Sequence, residues 1–266
     1  MNSWQATALN TAPDSDNQIH SDDLARQYGF KGGLVPGVTV SAYLLHPVID
    51  SQGMDWLEKG YANCKITSPL YDGENFEVLS ETQREGHINT FIKNQDGKII
   101  ANAESKILEN ISSKPKYRGD RLIQEDFKAP VASFDEWNKL KKEGCKAFKF
   151  HWSGDNPLIY LSDEKKLPLI LQPSESGYAN LSFLLGCANW ILAGNAFMNP
   201  WVHLQTKSQN YRAVSLGTTL IAEMSVIDFY EKKGHEFIEV EVNLFEEKSK
   251  QCCISINQLA IFKLRK

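Results

Sequence analysis

The sequence predicts an α+β fold built as two tandem halves, each a long buried helix laid against an antiparallel sheet. Three observations carry this. A largely apolar helical stretch precedes a run of strand-like segments twice: residues 38–49 ahead of 61–68, 75–84, 88–94 and 98–108, and residues 178–193 ahead of 202–211, 220–230, 236–245 and 251–264. The strand segments alternate in polarity or are rich in β-branched and aromatic residues, the signature of a half-buried strand. A polar, charged stretch without clear period, 109–130, separates the two runs. The chain therefore divides into a first half, residues 1–110, a linker, 111–130, and a diverged second half, 131–266.

The elements follow in order. Residues 4–9 read as a short opening strand and 10–19 as a polar loop. Asp22 is placed to cap a short helix over 23–28 by accepting a backbone N–H. A glycine-containing loop, 29–37, leads into the helix at 38–49. That helix is too apolar for a surface position, with Pro36 near its start and Gly53 just past its end. Asp96-Gly97 marks a hairpin between two strands. In the second half, 145–152 reads as a strand and Lys232-Lys233-Gly234 as a turn. A long helix wrapped by an antiparallel sheet is the hotdog arrangement. Two such halves can join their sheets and leave a cleft between the helices, long enough for an extended apolar ligand.

Composition narrows the function classes. The 266 residues carry a net charge of −4, with no strong basic field for nucleic acid. The five cysteines (Cys64, Cys145, Cys187, Cys252 and Cys253) lack zinc-ligand spacing and fit a reducing compartment. The N-terminus lacks a positive stretch followed by an apolar core, so no signal peptide is expected and a cytoplasmic location is. The longest apolar stretch, 181–197, is interrupted by Asn189, Gly194 and Asn195. It reads as a core helix rather than a membrane span.

The most informative stretch is Asp14-Ser15-Asp16-Asn17-Gln18-Ile19-His20-Ser21-Asp22, with Ala25, followed by Gly33-Leu34-Val35-Pro36-Gly37 at the helix entrance. It resembles the hydratase motif of the MaoC-like (R)-specific enoyl-CoA hydratases and 3-hydroxyacyl-thioester dehydratases. In that motif an Asp stands five places before a His and an Asn three places before it, and a His-Gly or Pro-Gly pair opens the central helix. Asn17, His20, Asp22, Ala25 and Pro36-Gly37 match. Pro69-Leu70-Tyr71-Asp72-Gly73 resembles the family's strand bend, so the likeness covers most of residues 1–110. The second half shares only the order of elements.

The resemblance implies a double hotdog hydro-lyase acting on 2-enoyl or 3-hydroxyacyl thioesters of coenzyme A or acyl carrier protein, with no metal or redox cofactor. Homodimerisation stays open. Such a reaction needs a base for water, an acid for the α-carbon, and donors for the developing enolate oxygen. The resemblance makes His20 and Asp16 the acid–base pair and Gly37, at the helix N-terminus, the oxyanion donor. Asn17, Ser15, Gly33, Val35 and Pro36 would line the substrate site. The chain departs from the pattern where Ser15 stands at the family's Asp position and Gln18 at its Pro. Either Asp16 supplies the carboxylate from a loop shortened by one residue, or Ser15 replaces it and the water-holding pair is broken. A hotdog thioesterase and a non-catalytic acyl-thioester binder are the alternatives.

Plainer roles stand beside these. His20 could be an ordinary loop histidine. Asp22 reads as a helix cap before a catalyst, and Gly33 and Gly37 could serve loop geometry. Asn17 could tie the loop together. The segment 154–160 faintly echoes the motif, with Tyr160 where His would stand, and reads first as a turn. Trp190 reads as core. His46, His87, His151, His203 and His235 show no recognisable partners.

Overall fold

The computed structural model describes residues 2–109, 113–153, 159–173 and 175–265. The first half runs β1 (Asn2–Thr7), α1 (Asp22–Gln27), α2 (Gly37–Lys59), β2 (Gly60–Ile66), β3 (Asn75–Thr82), β4 (Ile88–Asn94) and β5 (Ile99–Ile107). The second runs α3 (Phe134–Glu143), β6 (Phe148–His151), α4 (Leu181–Asn195), β7 (Val202–Asn210), β8 (Thr219–Lys232), β9 (His235–Glu246) and β10 (Cys252–Lys263).

All ten strands form one antiparallel sheet in the order β1-β3-β4-β5-β2-β7-β10-β9-β8-β6. Read from either edge, the order is the same with five added to each strand number, so the halves are related by a pseudo-twofold at the β2–β7 junction. The register there runs from Tyr61 opposite Gln209 to Lys65 opposite Gln205. The Gln205 side-chain amide donates to Asn63 Oδ1 at 2.7 Å.

Helix α2 is apolar all round because both of its sides are covered. It packs on the strands of its own half and against α4, and its residues from Val38 to Leu45 are all buried. Gly53 adopts φ 54°, ψ −130°, which breaks the helical path; a short further stretch carries the chain to β2. The helix therefore runs beyond the expected 38–49, with Gly53 as an internal break. Between the helices a chain of hydroxyls runs from Thr11 to Thr39 (2.8 Å) and from Thr39 to Ser182 (3.2 Å). Fully buried hydroxyls are tolerated where each finds a partner.

Helix α3 is an element that sequence analysis did not assign. Its signal is present: the Ser133 side chain accepts the Glu136 N–H at 3.1 Å, and Phe134, Trp137 and Leu140 recur on one face. Trp137 is buried and meets Phe262 of β10 edge-on.

The segment between the halves is pinned to β8. The Glu223 side chain, fully buried, accepts the backbone N–H groups of Arg118 (2.9 Å), Gly119 (2.7 Å) and Asp120 (2.9 Å). Its carboxylate also lies 3.9 Å from the Arg118 guanidinium. Replacing Glu223 by alanine leaves three inward-facing N–H groups without an acceptor. The expected loss is ~3 kcal/mol, with a smaller loss for Glu223→Gln, which keeps one carbonyl oxygen. Urea unfolding measures it, and an alanine variant within error of wild type would refute the clamp.

Candidate active site between the halves

The loop before α2 is held in layers. Leu34 N–H donates to Ile19 O (2.8 Å) and Val35 N–H to Leu70 O (2.9 Å), while Leu34 bridges to Tyr71. Asn10 Nδ2 donates to the His20 carbonyl at 2.8 Å. Gly33 must be glycine here, because a Cβ would stand 2.4 Å from the His20 carbonyl oxygen. Asp22 does not cap α1: Ser21 holds the N-cap position without a side-chain bond, and the Asp22 carboxylate accepts the Gly33 N–H at 2.7 Å. The carboxylate reaches across the loop instead of along the helix. Asp22 and Gly33 thus secure the turn behind His20.

His20 is placed by this frame. Its Nδ1 lies 2.7 Å from the Leu34 carbonyl oxygen, which can only accept, so Nδ1 carries the hydrogen. In the neutral ring Nε2 is then the acceptor, 3.4 Å from the Asn17 Nδ2, which can donate to it. Burial holds the imidazole below its ordinary pKa, outweighing the Leu34 hydrogen bond, which pulls it upward. A neutral histidine with a fixed tautomer and its remaining lone pair on a cavity-lining ring has the properties of a general base.

Asn17 does more than tie its own loop. Its Nδ2 donates to the Trp201 carbonyl (3.0 Å) and its Oδ1 accepts the Trp201 N–H (3.2 Å), a two-point clasp on the second half. The Gln18 N–H donates to Asn199 Oδ1 at 3.0 Å alongside it.

Two cavities have walls in common at this point. One, of about 230 Å³, is lined mainly by hydrocarbon and includes Val35 and Gly37. The other, of about 470 Å³, includes Asp14, Ser15, Asp16, Pro36 and Val38 on one side and Trp190, Ala193 and Phe197 on the other. They share Asn17, His20, Asn189 and Trp201. The loop therefore places these residues on the walls of two adjoining cavities, Asp16, Ser15 and Pro36 on the larger, Val35 and Gly37 on the smaller, and His20 and Asn17 on both, while Gly33 lines an outer groove that also includes His20. Asp14, Ser15 and Asp16 are exposed. Among the described residues the Asp16 carboxylate has no hydrogen-bond or ion-pair partner. Trp190 is not core: it is 38% exposed and forms part of the cleft wall.

Gly37 opens α2 as expected, but its missing side chain makes room for protein rather than ligand. A Cβ there would lie 2.8 Å from both Cβ and Cγ of His203 on β7. Its N–H, at the helix N-terminus, has no acceptor among the described residues.

The second half contributes residues that sequence analysis did not assign to the site. His203 Nδ1 faces Asn189 Oδ1 (3.4 Å), and Nε2 faces the Thr206 hydroxyl (2.5 Å). Gln258 Nε2 also donates to Asn189 Oδ1 at 2.8 Å. The oxygen of Asn189 takes Nδ1–H, so His203 Nε2 accepts from Thr206, and both ring nitrogens are engaged. Burial lowers the His203 pKa to about 4. The β7–β10 register slips at this stretch: Leu259 and Ala260 pair with Gln205 and His203, leaving Leu204 of β7 unpaired, an irregularity of the kind that re-aims side chains near functional sites. His203, Thr206 and Gln258 each look unremarkable in sequence. Only the pairing of β7 with β10 beneath α4 assembles them.

The pseudo-twofold implies a second cleft, where Tyr160 precedes α4 as His20 precedes α2. It is filled. Tyr160, 1% exposed, has its hydroxyl 3.1 Å from His46 Nδ1 on α2 and packs edge-on against Tyr43. Trp4 stacks on His46 with ring centroids 3.9 Å apart. Residues 154–158, which carry the rest of the echoed motif, lie outside the described residues. His46 and His203 thus have partners that the sequence did not reveal.

No family model and no curated protein sequence matches the chain. Solved structures do. A candidate thioesterase II from Thermobifida fusca YX is similar over 99% of this chain and 93% of its own, at 11% identity and a TM-score of 0.55. A candidate MaoC-domain dehydratase from Chloroflexus aurantiacus J-10-fl matches over 100% and 95%, at 8% identity and a TM-score of 0.55. A Mycobacterium tuberculosis protein essential for survival during infection, itself a double hotdog, matches over 98% and 95%, at 11% identity and a TM-score of 0.54. The chain is a double hotdog. At these identities the likeness establishes the fold, and this double hotdog's chemistry has to be argued from its own cleft. Among the described residues, no helix is long and apolar enough to cross a membrane.

Proposed function

We propose that the protein is a hydratase or dehydratase of 2-enoyl/3-hydroxyacyl thioesters of coenzyme A or acyl carrier protein, working at the cleft around His20. The observation that carries this is the tautomer of His20: Nδ1–H is tied to Leu34 O at 2.7 Å, so Nε2 carries the lone pair, on a side chain that lines both cavities. In the hydration direction Nε2 takes a proton from water as the oxygen adds to C3 of the enoyl group. The π electrons move to the thioester oxygen, where the free N–H groups at the start of α2 receive the charge. A proton from the Asp16 carboxyl then goes to C2, the double bond is consumed, and the proton held on His20 Nε2 passes back to the Asp16 carboxylate, so both groups return to their starting states. Water is the only co-reactant.

A specific observation favours a second reading, hydrolysis of the thioester. Asn189 lines both cavities and is tied to Gln258, whose Oε1 is buried and has no donor among the described residues. An amide pair of this kind can orient a water toward the carbonyl carbon instead of C3. Incubation with crotonyl-CoA and 2-octenoyl-CoA separates the readings. The expected result is loss of the enoyl absorbance without free thiol. Thiol release overturns it in favour of hydrolysis, and measurable binding without either signal leaves a non-catalytic binder.

A further inference from the structure

We propose that the cavity of about 230 Å³ is an acyl-chain site of limited depth, sized for a medium-chain thioester. This rests on the reading of His20 given above and goes beyond it by naming the substrate class. The two cavities that have His20 on their walls differ in chemistry. The larger has Asp14 and Asp16 on its wall. The smaller has no Asp, Glu, Lys or Arg among its lining residues, and away from His20, Asn17, Asn189 and His203 it is bounded mostly by hydrocarbon, including Val40, Ile66, Leu70, Leu204, Ile261 and Leu264. A phosphate-bearing carrier finds no cation there, and a hydrated pantetheine arm loses its water without replacement. A hydrocarbon chain loses nothing by entering.

Volume sets the length. At about 30 Å³ per water-sized unit, the space holds roughly eight such units, which corresponds to an acyl chain of about six to eight carbons. The thioester carbonyl then lies at the junction beside His20, with C2 and C3 within the same neck and the tail beyond. Val40 projects from α2 and Leu204 from β7, so the cavity is bounded by both halves. A chain longer than the cavity has to displace these side chains or run out into water.

The test is a binding series with S-alkyl-CoA thioethers, which are inert to both hydration and hydrolysis: butyl, hexyl, octyl, dodecyl and hexadecyl, followed by titration calorimetry. Kd is expected to fall about four-fold per methylene up to about eight carbons. It is expected to stop falling, or to rise, at dodecyl. Val40→Phe fills the cavity and is expected to weaken octyl binding at least ten-fold while sparing butyl. Because that residue is also core, Leu204→Ala provides an independent check: it enlarges the space, and the preferred chain is expected to lengthen by two or three carbons. Affinity that climbs steadily to hexadecyl, or that ignores chain length, overturns the size limit and leaves the His20 reading standing. No binding at any length overturns both.

Discussion

Replacing His20 by alanine is expected to lower kcat on an enoyl thioester by ~10²–10⁴-fold, the usual contribution of a general acid–base group. The side chain is a good candidate for so large an effect because its role depends on one lone pair. Nδ1–H is committed to Leu34 O, and only Nε2 remains to take a proton. His20→Gln separates polarity from proton transfer, since glutamine can still contact Asn17 but cannot act as a base, and it is expected to be nearly as inactive as the alanine variant. Asp16→Asn is expected to cost ~10²-fold or more in kcat with little change in KM, because it removes proton donation while keeping the shape of the loop. Stopped-flow assay of enoyl absorbance reads all three. Full activity in His20→Ala would remove the site assignment and leave only the fold. Full activity in Asp16→Asn would instead mean that Ser15 marks a lost carboxylate; Ser15→Asp, which restores the spacing to His20, would then raise the rate.

Acidification is expected to destabilise the protein well before its carboxylates are neutralised. His46 and His203 are both buried, and desolvation lowers each from 6.5 to about 4. In the unfolded chain they take up protons below about pH 6.5, whereas in the fold they do so only near 4. Between these values the unfolded state binds more protons, so stability rises with pH and is lost as pH falls through that window. The loss amounts to about 2 kcal/mol from each histidine by pH 5. His20, lowered by burial, contributes in the same direction. Burial is the cause of both shifts: His46 lies against Trp4 and Tyr160, with Asp50 one turn further along α2, and His203 lies against Gly37, Asn189 and Thr206. Urea midpoints at pH 7.5, 6 and 5 measure this, and His46→Gln should flatten the dependence. A midpoint that does not move between pH 7.5 and 5 would show that these imidazoles are not held neutral.

Much of the fold could be read from the sequence because it is written in local patterns. Alternation at 75–82, 88–94 and 99–107 reports a sheet with one wet face, and the Asp96-Gly97 turn closes its hairpin, with Gly97 at φ 76°. Residues 38–49 lack a polar stripe, and the helix they form is enclosed from both sides. His20 and Asn17 were legible as a pair because both stand on one short loop at a spacing that chemistry can use. α3 was missed although its cap and apolar spacing are present, since a ten-residue amphipathic helix adds little signal beside strong strands.

The sequence by itself determined the two halves, their order of elements, and the loop that carries His20, Asn17 and Asp16 to the mouth of α2. The tertiary structure alone decided what that loop faces. Periodicity states that a residue is buried but does not name its neighbour, because the neighbour is chosen by the joining of β2 to β7 and the crossing of α2 with α4. That joining sets His203 against Gly37, so the glycine is needed for protein packing. It brings Asn189 and Trp201 to the cleft, and it fills the symmetry-related position with Tyr160, His46 and Trp4. A duplicated order of elements predicts two equivalent clefts. Only side-chain volume, added up in three dimensions, packs Tyr160, His46 and Trp4 together at the second position among the described residues.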